Sequence, residues 1–108
     1  MKLVIAIVNN DDASTVLAEV TRAGFSATKL STSGGFLKAG NVTFLIGVEE
    51  KSVGEVLEII KDFSSKRTQM APSTAAYLGE SIITSAPIEI TVGGATVFVL
   101  DVDQFYKL

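Results

Sequence analysis

Small polar residues and glycines between positions 26 and 47 could form a binding site for a phosphate-bearing ligand. Gly34-Gly35 can adopt backbone angles closed to other residues, so that consecutive amides point into one concavity and bind an anion without net positive charge. Ser26 and Thr28 precede the glycines at alternating spacing. This spacing places both hydroxyls on one face of a strand, from which they could donate to a phosphate.

Two further side chains of the same stretch suit a nucleobase. Phe36 offers an aromatic face, and base stacking on such a face contributes about 1–3 kcal/mol. Asn41 carries a donor and an acceptor side by side, the pattern that reads N6 and N7 of adenine. Gly47 is unusual inside a strand, and a ligand or another backbone that approaches closely would explain it. Together these residues favour a nucleotide site.

Each of these residues also has a simpler interpretation. The glycine pair can serve only as a turn, Phe36 with Leu37 can plug a neighbouring subunit, and Gly47 can give room to a helix side chain. Asn41 can cap the loop backbone, as asparagine often does. The loop "GGFLKAGN" lacks the Gly-Lys-Ser/Thr ending of a Walker motif. From these residues alone, nucleotide binding and a structural role both stay open.

The composition argues against an enzyme. The chain has no histidine and no cysteine, which removes the usual zinc ligands, the usual general base and most nucleophile–base pairs. The carboxylates Glu49, Glu50, Asp101 and Asp103 are expected at solvated strand ends rather than in an acid–base pair. We expect no catalytic residue, no metal site and no cofactor.

Charge and hydropathy restrict the partners. A net charge of -3 argues against a nucleic-acid-binding protein, because phosphate backbones normally demand a basic face. The apolar run "LVIAIV" is too short to span a membrane and lacks a signal-peptide cleavage site. We therefore expect a cytoplasmic protein with no membrane insertion, folded as a single domain over residues 1–108.

The periodicity of the first half predicts a strand, a helix and two strands. Residues 3–8 form a continuous apolar run typical of a buried strand. Polar residues 9–12 offer N-caps for a helix whose apolar stripe ends before Gly24. Residues 25–32 and 42–48 alternate as the second and third strands, on either side of the glycine loop.

The second half is less regular. "SVGE" predicts a capping box between Ser52 and Glu55 at the start of a second helix. Residues 64–86 show no sustained period, apart from a possible short strand at "RTQM", and such long segments are usually functional or mobile. The run "PIEITVGGATVFVLDV" predicts a C-terminal hairpin that turns at Gly93-Gly94.

This order of elements predicts an α+β fold of the split βαβ type. Both helices should cover one face of an antiparallel sheet, since each has a single apolar stripe. The other face carries large apolar residues from several strands. Other copies of the chain are the expected cover for it.

The blocks "FSATKLSTSGGFLKAGNVTFLIGV" and "EITVGGATVFVLDVDQF" resemble the cyclic di-AMP receptor family of P-II-like signalling proteins. The resemblance extends over nearly the whole chain. It implies a ferredoxin-like protomer in a homotrimer, with clefts between subunits that bind cyclic di-AMP, a bacterial second messenger, without catalysis. It also implies that residues 64–86 form a mobile loop that signals to an unknown protein partner.

The resemblance further implies a set of ligand contacts. Thr28 would address a phosphate, Asn41 the adenine or its sugar, and Gly47 would leave room for the base. The implied contacts are Thr28, Gly35, Phe36, Leu37, Asn41 and Gly47, with Phe98 at the subunit boundary.

Three positions depart from well-known members of the family. This chain has Gly24 in place of Asn, Ser26 in place of Arg and Lys107 in place of Gln. A hydrogen bond to a charged group contributes about 1.5–3 kcal/mol, so the missing Arg corresponds to about tenfold to a hundredfold in affinity. Lys107, reaching over from a neighbouring subunit, would restore part of that charge. The departures leave open a sensor of the same fold for a different adenine nucleotide or a small anion.

Overall fold

The computed structural model describes residues 1–30, 40–65, 67–71 and 88–108. Within them the chain forms two α-helices and six strands, with a short 3₁₀ helix at Glu50–Ser52. The elements are β1 (Lys2–Asn9), α1 (Asn10–Arg22), β2 (Ala27–Leu30), β3 (Asn41–Val48), α2 (Val53–Ser64), β4 (Arg67–Ala71), β5 (Ile88–Val92) and β6 (Ala95–Asp101). The elements predicted in the first half of the chain are confirmed, with small differences at their ends.

A four-stranded antiparallel sheet forms the centre of the fold. Its strand order is β2-β3-β1-β6. Two helices accompany this sheet, which confirms the predicted α+β class.

Both helices pack on one face of this sheet, as their single apolar stripes predict. Alternate residues of β1 and β3 point toward the helices and are buried there, because successive strand residues face opposite sides. The buried apolar residues are Val4, Ala6, Val8, Val42, Phe44, Ile46 and Val48 of the sheet, and Ala13, Val16, Val20, Val56 and Ile60 of the helices. Among the described residues, no helix has the length and apolar character needed to cross a bilayer.

The opposite face of the sheet, which we call the open face, carries the remaining residues of each strand. In the register of the strands, Ile5 lies between Leu45 of β3 and Phe98 of β6. Phe98 is 54% exposed, although it is a large apolar side chain. The prediction of an uncovered apolar face is therefore confirmed for the described strands.

The predicted C-terminal hairpin is wrong. β5 pairs with β4 in a separate two-stranded sheet, whereas β6 pairs with β1. Gly93 and Gly94 have φ angles of 82° and 87°, but they lead the chain from one sheet into the other. The error arose because the partner of β5 lies in the segment that shows no sustained period.

The segment 64–86 is accordingly not irregular throughout. The weak prediction of a strand at "RTQM" is confirmed by β4, which spans Arg67–Ala71. Residue 66 and residues 72–86 of this predicted signalling loop lie outside the described residues.

The two helices begin in different ways. The side chain of Asn9 accepts a hydrogen bond of 2.8 Å from the backbone amide of Asp11, so the predicted N-cap of α1 is confirmed. The predicted capping box at Ser52 is wrong, because the side chain of Ser52 makes no capping hydrogen bond. Ser52 already has helical backbone angles at the end of the 3₁₀ turn, where its amide donates to the carbonyl of Glu49 at 2.9 Å.

Candidate functional site

A cavity of about 580 Å³ opens on the open face, where β1 begins and β3 ends. Its volume lies within the range of pockets that bind small ligands. The lining residues are Met1, Leu3, Ser26, Thr28, Leu45, Gly47, Val102, Phe105, Tyr106 and Lys107. Four predicted site residues, Ser26, Thr28, Gly47 and Lys107, are thus brought together here.

The strand register explains three of these positions. Thr28 lies opposite Leu45, and Gly47 lies opposite Leu3. Ser26 comes two residues before Thr28, on the same side of the chain. The alternation that the sequence shows therefore places both hydroxyls beside Gly47.

Gly47 leaves open space in the wall of this cavity. Apart from its chain neighbours, no atom lies within 4 Å of the point where a Cβ atom would stand. Its cross-strand partner Leu3 belongs to the open face, away from the helices. The interpretation that Gly47 gives room to a helix side chain is therefore wrong.

The C-terminal residues 102–108, which we call the tail, form the other side of the cavity. The amide of Val102 donates to the carbonyl of Met1 at 3.2 Å, and Lys2 forms an ion pair with Asp101 just before it. The hydrogen bond from Lys2 lowers the pKa of Asp101 below its ordinary value of 3.8 and raises the pKa of Lys2 above 10.5. These contacts place the start of the tail next to the beginning of β1.

Lys107 reaches the cavity of its own chain. It lines the cavity together with Ser26 of the same chain, which differs from the expectation that it would reach over from a neighbouring subunit. Its ammonium group is the one lysine or arginine charge among the lining residues, and these residues include no carboxylate side chain. The cavity therefore favours an anionic ligand.

Asn41 lies at the other end of the sheet. It pairs with Asn9 at the end of β1, and it is separated from Gly47 by about 20 Å along β3. A second cavity of about 290 Å³ is found there, lined by Ile7, Asn9, Asn41, Gly93, Gly94, Ala95 and Thr96. The predicted site residues are thus divided within one chain.

The remaining predicted contacts are placed as follows. Phe98 lies midway along the open face and lines neither of these two cavities. Gly35, Phe36 and Leu37 lie outside the described residues. Within the described part of the chain, no three His, Cys, Asp or Glu side chains come together in a way that could hold a metal ion.

A salt bridge joins α1 to the beginning of β4. The guanidinium of Arg67 donates to both carboxylate oxygens of Asp12, at 2.8 and 3.2 Å, and the side chain of Asp12 is only 9% exposed. The hydrogen bond with Asp12 raises the pKa of Arg67 above its ordinary value. A Cβ atom at position 93 would lie 2.6 Å from Nη1 of Arg67. Glycine at this position therefore leaves room for Arg67 to reach Asp12.

Sequence reasoning missed the aromatic residues of the tail and this salt bridge. Phe105 and Tyr106 follow β6, and no sequence pattern there predicts that the chain turns toward the cavity. Asp12 was interpreted only as a capping residue, and its partner Arg67 is 55 positions away. The sequence contains no local pattern that joins Asp12 to Arg67.

The solved structures that are similar to this chain include the following two. One, a functionally unknown protein from Pediococcus pentosaceus ATCC 25745, is 48% identical, covers 99% of this chain and 96% of its own, and superposes with a TM-score of 0.75. The other is the CPII protein of Thiomonas intermedia K12, solved with ADP, AMP and acetate. It is 18% identical over 94% of this chain and 84% of its own, with a TM-score of 0.51, and shows a likeness of fold alone.

A family model described as "Cyclic-di-AMP receptor" matches residues 1–108, the full length of the sequence. The match covers the strands that carry Ser26, Thr28 and Gly47 as well as the tail that carries Lys107. It confirms the resemblance carried by the two sequence blocks around the glycine loop and Gly93-Gly94. This chain belongs to the cyclic-di-AMP receptor family.

Proposed function

We propose that this protein is a non-enzymatic, P-II-like signal transduction protein that binds cyclic di-AMP. The ligand would lie in clefts between the subunits of a cytoplasmic homotrimer, and the signal would pass to a protein partner through residues 64–86. The observation that carries the proposal is the convergence of Ser26, Thr28, Gly47 and Lys107 on one cavity of the open face. Membership of the cyclic-di-AMP receptor family supports cyclic di-AMP as the ligand.

The chemistry of the cavity suits a phosphate next to a base. The hydroxyls of Ser26 and Thr28 donate hydrogen bonds, and the ammonium of Lys107 supplies a charge of the sign that a phosphodiester needs. The bare backbone at Gly47 leaves space for a flat ring. No group among the lining residues would repel an anion by its own negative charge.

The separation of Asn41 from Gly47 supports a site built from two subunits. Gly47 lies six positions after Asn41, about 20 Å along β3, so one chain does not bring both to the same part of a ligand. A neighbouring chain would contribute Asn41, Phe98 and the loop residues Gly35, Phe36 and Leu37. The strand order and the shared helix face support the ferredoxin-like split βαβ protomer that such a trimer requires.

Titration calorimetry of the purified chain with cyclic di-AMP tests the ligand, with ATP and cyclic di-GMP as controls. We expect saturable heat with cyclic di-AMP and the weakest response with cyclic di-GMP. Absence of heat at high micromolar cyclic di-AMP would refute this ligand. A purely structural trimer would show no thermal shift with any adenine nucleotide.

The Asn41→Ala variant tests the second half of the site. Loss of a bidentate contact to adenine corresponds to about 1–3 kcal/mol, or about fivefold to a hundredfold in affinity. Asn10→Ala, which removes an exposed carboxamide at the start of α1, is the matched control and should bind as the unchanged protein does. Equal binding by Asn41→Ala would exclude Asn41 from the site.

A second candidate function is a sensor of the same fold for a different adenine nucleotide or a small anion. It is favoured by Ser26, which lines the cavity where family members carry Arg, and by Gly24, which replaces Asn. We expect Ser26→Arg to strengthen cyclic di-AMP binding by about tenfold to a hundredfold, because a charged hydrogen bond to phosphate is gained. Ser26→Gln, similar in length and uncharged, is the control. An unchanged affinity in Ser26→Arg would show that the departure has no effect on this ligand.

A further inference from the structure

The cavity has an aromatic wall that the proposed contacts leave without a role. Phe105 and Tyr106 both line it, and they are 62% and 70% exposed. An exposed aromatic ring keeps a large apolar area in water, and rings of this kind are enriched where a protein meets a ligand or a partner. Their position beside Thr28 and Gly47 points to a ligand rather than to a random surface.

The tail that carries these rings is fixed at its root. The amide of Val102 donates a hydrogen bond to the carbonyl of Met1, and Asp101, just before the tail, forms an ion pair with Lys2. Within the tail, the hydroxyl of Tyr106 donates to Oε1 of Gln104 at 3.3 Å. The polar end of Tyr106 is thus satisfied inside the tail, while the faces of its ring remain exposed.

We propose that Tyr106 is a stacking residue of the nucleotide site, which takes the purine base of the ligand onto its ring. This inference rests on the function proposed above and specifies how the base is recognised. The base would occupy the space beside the bare backbone of Gly47, and Lys107, the next residue of the tail, would reach the phosphate. One short segment would then supply both the aromatic and the cationic contact.

Tyrosine emission provides a direct test. The chain contains no tryptophan and two tyrosines, so the Tyr77→Phe variant keeps Tyr106 as its only tyrosine. Stacking of adenine on the ring should quench its emission in proportion to the occupancy measured by calorimetry. N-acetyltyrosinamide, titrated with the same nucleotide, corrects for light absorbed by the ligand.

Substitution of Tyr106 gives the second readout. Tyr106→Leu should lower the affinity for cyclic di-AMP by about fivefold to a hundredfold, since the ring contributes a stacking face to one base. Tyr106→Phe keeps the ring and should restore binding to within about threefold, because only a weak hydrogen bond inside the tail is lost. Light scattering of each variant reports whether the assembly is preserved.

The outcomes separate this inference from the proposed function. Heat of binding without any change in Tyr106 emission, or equal affinities for Tyr106→Leu and the unchanged protein, would refute the stacking role and leave cyclic di-AMP binding intact. Loss of the assembly in Tyr106→Leu with unquenched emission in Tyr77→Phe would also refute it and assign the ring to subunit packing. Absence of heat from the unchanged protein would refute the proposed function and the stacking role together.

Discussion

Gly47 is the cavity residue whose backbone borders open space. It lies inside β3, where glycine lowers strand stability and packs nothing against its neighbours. The structure offers no steric reason for it, because a Cβ atom there would meet no atom beyond the chain neighbours within 4 Å. The close approach of a ligand or of another backbone, the two explanations that the sequence suggests, would both use this open space, and the proposed site assigns it to the ligand.

Gly47→Val should separate folding from binding. Valine favours extended backbone, so the free energy of unfolding should stay the same or rise by about 1 kcal/mol in urea denaturation. The new side chain would project into the cavity, and we expect calorimetry to show at least about a tenfold loss of cyclic di-AMP affinity, in line with overpacking of about 1–3 kcal/mol. Gly54→Ala in α2, which also has open space around it, is the control and should bind normally. Normal binding by Gly47→Val would show that the ligand does not use this space.

The residues of the cavity differ in how far the sequence predicts them. Ser26, Thr28 and Gly47 lie on strands of period two, joined across one loop, so their common face follows from counting. Lys107 was expected near the ligand only through family resemblance. Tyr106 was not predicted. The hydrogen bond between Val102 and Met1 helps to decide where Tyr106 and Lys107 lie, and no local sequence pattern indicates that bond.

Among the described residues, hydrogen bonds at one end of the two-stranded sheet of β4 and β5 connect it to the helices. Arg67 at its base is held by Asp12 of α1, and the amide of Gly94 donates to the carbonyl of Ser64 at the end of α2. The first turn of α1 is in turn tied to the end of the glycine loop, since the amide of Asn10 donates to the carbonyl of Gly40 at 2.5 Å. The beginning of α1 therefore contacts the end of the loop that the family resemblance connects with the ligand, and also the start of the segment that it connects with signalling.

Asp12→Ala should loosen the β4–β5 sheet while the four-stranded sheet stays intact. The variant removes both hydrogen bonds from Arg67 to a buried carboxylate, although solvent screens part of their effect because the side chain of Arg67 is 39% exposed. Amide hydrogen exchange should become faster in β4 and β5 and remain unchanged in β1 and β3. Arg22→Ala, which breaks the exposed pair with Glu19, is the control and should leave all four strands unaffected.

Exchanging the charges gives the complementary test. The double variant Asp12→Arg with Arg67→Asp keeps an opposite-charge pair between α1 and β4. It should restore part of the slow exchange that either single change removes. Identical exchange in Asp12→Ala and the unchanged protein would show that the salt bridge does not hold the β4–β5 sheet.

The tail should be released by acid but not at neutral pH. The stabilisation from Asp101 is present above pH 3.8 and is lost as the pH falls through its lowered pKa. That from Lys2 is present below pH 10.5 and is lost as the pH rises through its raised pKa. The amide shift of Val102 in NMR spectra should therefore stay constant between these values and change below pH 3.8. The same transition in Asp101→Asn, or a midpoint above 3.8, would contradict this assignment.

Prediction of helices and strands from the sequence succeeded where an apolar pattern repeats several times. It failed where a strand pairs with another strand far away in the sequence. β1, α1 and β3 are confirmed because their apolar patterns repeat several times. β5 was assigned to the wrong partner, since two alternating runs around paired glycines are typical of a hairpin. Its true partner, β4, has only five residues and contains no apolar alternation that would have identified it.

For the whole molecule, the open face sets the conditions for assembly. β6 is an edge strand of the four-stranded sheet as described, and it bears Phe98 and Leu100 on the face that neither α1 nor α2 covers. Apolar area of this kind is normally buried by another chain. The proposed trimer would bury it and, in the same step, bring Asn41 of one chain toward the cavity of the next.

Phe98→Glu should weaken the assembly without unfolding the protomer. A carboxylate on an apolar contact surface loses its hydration when subunits meet, whereas it stays solvated on the separate chain because position 98 is 54% exposed. We expect light scattering to show a shift from trimer toward monomer, with unchanged helical and sheet content by circular dichroism. Phe63→Glu, on the helix side and 39% exposed, is the control and should remain trimeric. An intact trimer in Phe98→Glu would place the contact surface elsewhere.

The passage of the chain through Gly93 and Gly94 has a mechanical consequence. β5 and β6 belong to different sheets. Rotation of the backbone at Gly93 and Gly94 can therefore change the orientation of one sheet relative to the other without breaking hydrogen bonds between strands in either. Among the described residues, the Gly94–Ser64 hydrogen bond and the hydrogen bonds of Arg67 to Asp12 and Ser65 restrain this rotation. Movement of β5 about Gly93 and Gly94 would therefore leave the pairing of β6 with β1, and with it the position of Phe98, unchanged.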